Sequence, residues 1–109
     1  MMPLLAAIQA LSPHPDDKRI YRIAYFLACG GVLTGDLAFE LFHETHLHST
    51  ISKLRDEGLQ IENGRIAPKE PAHQYWIKQT PESLKAALSY LRRKIVADRQ
   101  LSLLGGESQ

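Results

Sequence analysis

Cysteine occurs once in this chain, at Cys29, and a single thiol excludes any disulfide framework within one copy. Such thin cysteine usage fits a reducing compartment, and the expectation is a cytoplasmic protein. Long apolar runs are missing too. Nothing approaches the about 20 residues that a helix needs to cross a bilayer. The apolar opening "MMPLLAAIQAL" has no basic leading segment and is followed by Pro-His-Pro-Asp-Asp, so it does not read as a signal peptide. Tryptophan also occurs once, at Trp76. No glycine-rich phosphate loop exists, because Gly30-Gly31 leads into Val-Leu-Thr and not into Lys-Ser/Thr. No nucleophile-and-base arrangement stands out either, and an enzyme is not expected.

Charge of one sign is the remaining absence. The net charge is +1 over 109 residues, far from the footprint of a strongly basic polyanion binder. Its distribution is less even. Residues 1–45 carry three Lys and Arg against five Asp and Glu, whereas residues 46–99 carry ten against six. Positive charge therefore gathers in the second half. Three of the five histidines cluster as His43, His46 and His48. Zinc wants three or four ligands in matching geometry, and no convincing fourth joins them. No metal and no cofactor is expected.

What is present is helical periodicity that gives way to alternation. A chain of this length suits one domain, residues 1–109, with one modest core. Residues 3–11 place Leu4, Leu5, Ile8 and Leu11 at helical spacing. Asp16 or Asp17 can cap a second helix, striped by Ile20, Ile23, Ala24 and Leu27 and ended by Gly30-Gly31. After a short extended "VL", Thr34 caps a brief helix holding Leu37, Ala38 and Leu41. The stretch "THLHSTISKLRDEGLQIEN" follows as a helix capped by Thr45 and closed by Gly58 in the left-handed conformation. Leu47, Ile51 and Leu54 form its inner stripe. Its outer face carries Ser49, Ser52, Lys53 and Asp56, with His48 and Arg55 on one flank. These are mostly short hydrogen-bonding groups, an unusual choice for a face that only needs to be soluble.

Past Gly58 the period becomes two. Leu59 and Ile61 open one extended segment, and "QYWIKQ" makes another, with Tyr75 and Ile77 on one side and Gln74, Trp76 and Lys78 on the other. A tight turn fits either Asn63-Gly64 or the proline-bounded "PKEPAH". Thr80, Pro81 and Glu82 then start a final helix over residues 80–99, striped by Leu84, Leu88, Leu91 and Ile95. Residues 104–109 read as a disordered tail. The expected core is Ile23, Leu27, Leu37, Leu41, Leu47, Ile51, Leu54, Ile61, Tyr75 and Ile77, and a terminal helix is expected to cover Trp76.

Residues 16–79 in this order resemble a winged helix-turn-helix domain of the small type found in phages, prophages and mobile elements. The local marker is "STISKLRDEGLQIENG…HQYWIKQ", in which Leu54, Arg55, Gly58 and Ile61 match a helix-and-wing pattern closed by Tyr75-Trp76-Ile77. The resemblance implies an α+β fold, a three-helix core with a two- or three-stranded wing sheet, plus N- and C-terminal helices. It also implies duplex DNA as partner. Ser49, Ser52 and Lys53 would meet base edges in the major groove. Thr45, His46 and His48 would lie by phosphate at the helix start. Arg65, Lys69, His73 and Lys78 would contact backbone from the wing. A transcriptional or replication accessory regulator follows, with a homodimer through the N- and C-terminal helices. The alternative is a non-catalytic protein-interaction module on the same fold that docks onto a host protein.

Overall fold

A computed structural model describes residues 2–65 and 73–97 of the chain. Among the described residues, five α-helices and one three-stranded antiparallel sheet make an α+β fold. In chain order these are α1 (Met2–Gln9), α2 (Arg19–Ala28), β1 (Leu33–Thr34), α3 (Gly35–Phe42), α4 (Leu47–Asp56), β2 (Ile61–Arg65), β3 (His73–Ile77) and α5 (Pro81–Leu91). A π-helical turn, Arg92–Val96, continues α5. The strand order is β1-β3-β2, so the strand nearest the C-terminus lies in the middle.

Local chemistry explains most element ends. The Thr34 hydroxyl accepts from the Leu37 amide at 3.2 Å and starts α3. Thr80 does the same for α5 from Ser83 at 3.3 Å, with Pro81 at the position where a missing N–H is harmless. Gly58, at φ +106°, ends α4. There the Leu59 amide returns to the Leu54 carbonyl and the Gly58 amide to Arg55, a paired closure that only a left-handed residue permits. Two expected caps fail. Neither Asp16 nor Asp17 caps α2, whose N-cap is Lys18 with no side-chain bond; Asp17 instead accepts from the His14 amide at 2.8 Å within the preceding loop. Thr45 does not cap α4, for which Glu44 provides the acceptor described below.

The core joins all five helices and the sheet. Buried Ile23, Leu27, Leu47, Ile51, Leu54, Ile61 and Ile77 sit as expected, with Leu37 and Tyr75 packed partly buried at its edge. Leu41 does not. It is 48% exposed, because α3 buries only Ala38 fully and turns Leu37 and Phe42, not Leu41, toward the core. α5 packs on α1 and α2 and brings Leu84, Leu88 and Leu91 into the core, and the π-helical turn adds Ile95. A fully buried leucine stabilises by roughly 1.5–3 kcal/mol.

The hairpin settles the question of its turn. Asn63 pairs with Tyr75, Gly64 with Gln74 and Arg65 with His73, so Asn63-Gly64 lies inside β2 and the connection is the later proline-bearing segment. That segment lies outside the described residues, as do 98–109. No helix among the described residues is long and apolar enough to cross a membrane.

Candidate nucleic-acid interface

Between α3 and α4 the chain reverses in four residues. His43 takes the left-handed conformation, φ 55°, and the Glu44 amide reaches back to the Ala38 carbonyl at 3.2 Å. Glu44 then turns its carboxylate onto the start of α4, and the residue is only 8% exposed. Oε2 accepts the His46 amide at 3.1 Å, Oε1 accepts the Thr50 hydroxyl, and the Arg19 guanidinium stands 3.7 Å away. Burial pushes the carboxyl upward, but the Thr50 hydroxyl, the His46 amide, Arg19 and the Thr45 amide outweigh it and hold the group below the ordinary glutamate value. Glu44 is therefore the cap of α4, placed two residues before its N-cap, His46. The Thr45 hydroxyl lies 2.9 Å from the His46 ring nitrogen Nδ1.

The far end of α4 is tied down by a different residue. Arg55 donates from Nη2 to the Ile61 carbonyl at 2.8 Å and to Asn63 Oδ1 at 3.0 Å, and from Nε to Ile61 at 3.2 Å. One guanidinium fork thus joins the helix to β2 and sets the angle between helix and hairpin. On the other flank Glu57, the C-cap residue, pairs with Arg93 at 3.2 Å and Lys94 at 3.5 Å. Arg93 and Lys94 thus tie the π-helical turn that continues α5 to the end of α4.

The outer row is what remains. Thr45, His46, His48, Ser49, Ser52, Lys53 and Asp56 are all exposed and share one side of α4 and its leading turn. His48 faces the hairpin, where it lines a recess of about 370 Å³ with His73, Tyr75, Thr34 and Asp36. Lys53 lines a different recess, shared with Lys18, Tyr21, Asp56, Glu57 and Lys94. Lys18 went unnoticed in the sequence because only the fold carries the start of α2 to α4. Its ammonium stands 5.7 Å from the centre of the Tyr21 ring. Lys18 and Lys53 form no ion pair among the described residues.

The hairpin contributes less charge than expected. Lys78 is exposed but pairs with Glu62 at 3.2 Å, a neighbour created by the β2–β3 register. His73 is exposed at the start of β3. Arg65 ends β2 opposite His73, but its side chain lies outside the described residues, as does Lys69. Trp76 is half-buried and packs against the facing strand of the hairpin. A Cβ built on Gly64 would lie 3.3 Å from the indole, so the ring rests over a residue with no side chain. No group of three or more His, Cys, Asp and Glu side chains able to hold a metal ion occurs among the described residues.

Set against known proteins, the chain matches no family model, no curated protein and no solved structure.

Proposed function

We propose that this chain is a winged helix-turn-helix protein that binds duplex DNA, with α4 as recognition helix and the β2–β3 hairpin as wing. The element order, and a sheet in which the last strand sits between the first and second, support the reading. The observation that carries it is the division of labour on α4. The side-chain hydrogen bonds and ion pairs that fix the helix among the described residues come from Glu44, Thr50, Arg55 and Glu57, and Leu47, Ile51 and Leu54 hold its inner face, while Ser49, Ser52 and Lys53 project from the outer face with none of that work to do. The short hydroxyls and Lys53 suit base edges, and Lys18 suits phosphate. A cytoplasmic accessory regulator of a phage or mobile element, dimeric through α1 and α5, belongs to the same proposal.

Binding of random duplex DNA across a salt series tests it. Affinity should fall linearly on logarithmic axes, with Lys69→Ala flattening a phosphate-driven slope by about one unit and Lys53→Ala relaxing sequence preference at particular positions. Asp56→Asn should raise non-specific affinity by removing a carboxylate from the face. No salt-dependent binding at low ionic strength would defeat the DNA reading.

A second reading, a non-catalytic protein-interaction module, draws on α3. Phe39, 54% exposed, and Leu41 stand on that helix beside Asp36 and Glu40, a combination that suits a protein surface and repels phosphate.

A further inference from the structure

On the side of α2 that carries Arg22 and Tyr25, the loop after α1 arches over the helix and leaves an open recess of about 600 Å³. Its walls are Pro13 and Pro15 from the loop, Tyr25 and Phe26 from α2, and Phe42 from the end of α3. The sequence gives this space a physical origin. Phe26 and Phe42 meet edge to face at 5.8 Å between ring centres. Phe26 lies so close over Gly31 that a Cβ there would come within 2.4 Å of its ring, so any side chain at that position would displace the wall. The size and the mostly apolar lining are those of small-molecule sites.

The polar groups in this recess are few and mostly engaged with one another. The Tyr25 hydroxyl bonds to Ser12 and to the Cys29 thiol, and burial pushes both Tyr25 and Cys29 toward their neutral forms. Arg22 is the one charged side chain in the lining among the described residues. Its Nε donates to the Asp17 carbonyl at 3.2 Å, which orients the fork, and it forms no ion pair among the described residues. The nearby Asp17 carboxylate is engaged through Oδ2 by the His14 amide.

From this we infer that the recess between α2, α3 and the α1–α2 loop binds a small aromatic carboxylate. The ring lies between the prolines and the Phe26–Phe42 pair, where flat apolar faces and ring edges favour an aromatic guest. The carboxylate meets the Arg22 guanidinium, whose planar fork matches it in two parallel hydrogen bonds. The inference concerns a surface away from the outer row of α4 and is independent of whether that row meets DNA.

Titration of the intact protein with 2-naphthoate, followed by amide NMR, is the test, because Gly30 and Gly31 supply two backbone reporters in the lining. Saturable shifts at both amides are expected. The uncharged analogue 2-naphthylmethanol should bind about tenfold more weakly, the effect of one charge-assisted contact at a part-exposed rim. Arg22→Gln should bring naphthoate down to the alcohol's affinity while leaving the rest of the spectrum in place, and Arg22→Lys should recover part of the loss. Absence of saturable shifts into the millimolar range overturns the site. Equal binding of acid and alcohol, or an Arg22→Gln variant that binds naphthoate like the parent, overturns the carboxylate assignment.

Discussion

Glu44→Gln is the substitution that asks most of the α3–α4 turn. The amide keeps nearly the shape of the carboxylate and one acceptor oxygen, so what it removes is charge. In the parent that charge receives the His46 amide at 3.1 Å and the buried Thr50 hydroxyl, with Arg19 at 3.7 Å. Hydrogen bonds to charged acceptors contribute about 1.5–3 kcal/mol and neutral ones about 0.5–1.5 kcal/mol, so weakening two of them predicts a loss of about 2 kcal/mol at neutral pH. The pH dependence follows from the same contacts. The folded-state value is depressed, so the contribution is complete above the ordinary glutamate range and disappears as pH falls through the folded value. Urea unfolding followed by circular dichroism at about pH 7 and about pH 3 should therefore show a gap between parent and variant that narrows in acid. Thr50→Val should shrink the effect of Glu44→Gln, because the two residues share one interaction. A variant as stable as the parent at neutral pH, or a gap of the same size in acid, would refute the assignment of Glu44 as the helix cap.

Leu54→Ala should cost roughly 2–5 kcal/mol, since the side chain is fully buried, and a thermal melt checks it. Gly58→Ala should lose about 1 kcal/mol or more in the same assay; a Cβ has open space there, so the loss would come from the backbone at φ +106° alone. Arg55→Ala should loosen the hairpin more than the helix, seen as faster amide exchange in β2 with α4 protected as before, because its three hydrogen bonds all end on Ile61 and Asn63.

Local signals were legible in the sequence, and contacts between distant residues were not. Thr34 and Thr80 cap helices that begin beside them, and Leu47, Ile51 and Leu54 follow the helical period, so short windows suffice. Glu44 escaped because its carboxylate reaches the helix from outside the usual cap position, and its partner Thr50 is a full turn and more away. Asp17 looked like a cap by type, yet the loop bends it toward His14. Leu41 obeys the stripe of α3, and only the tertiary arrangement shows that the stripe outruns the core. The candidate site was legible in part for the same reason. The outer row of α4 is a matter of periodicity, whereas the neutralisation of Lys78 by Glu62 depends on strand register, and the arrival of Lys18 beside Lys53 depends on how α2 crosses α4.

Because α4 is fastened by its two ends and its inner stripe, substitutions at Ser49, Ser52 and Lys53 fall where surface changes usually alter stability by no more than about 0.5 kcal/mol. Two populations of residues thus share ten positions of one helix, one answerable to folding and the other not. Lineages of this protein can change the chemistry of the exposed row step by step, trying new targets, without ever passing through an unfolded ancestor.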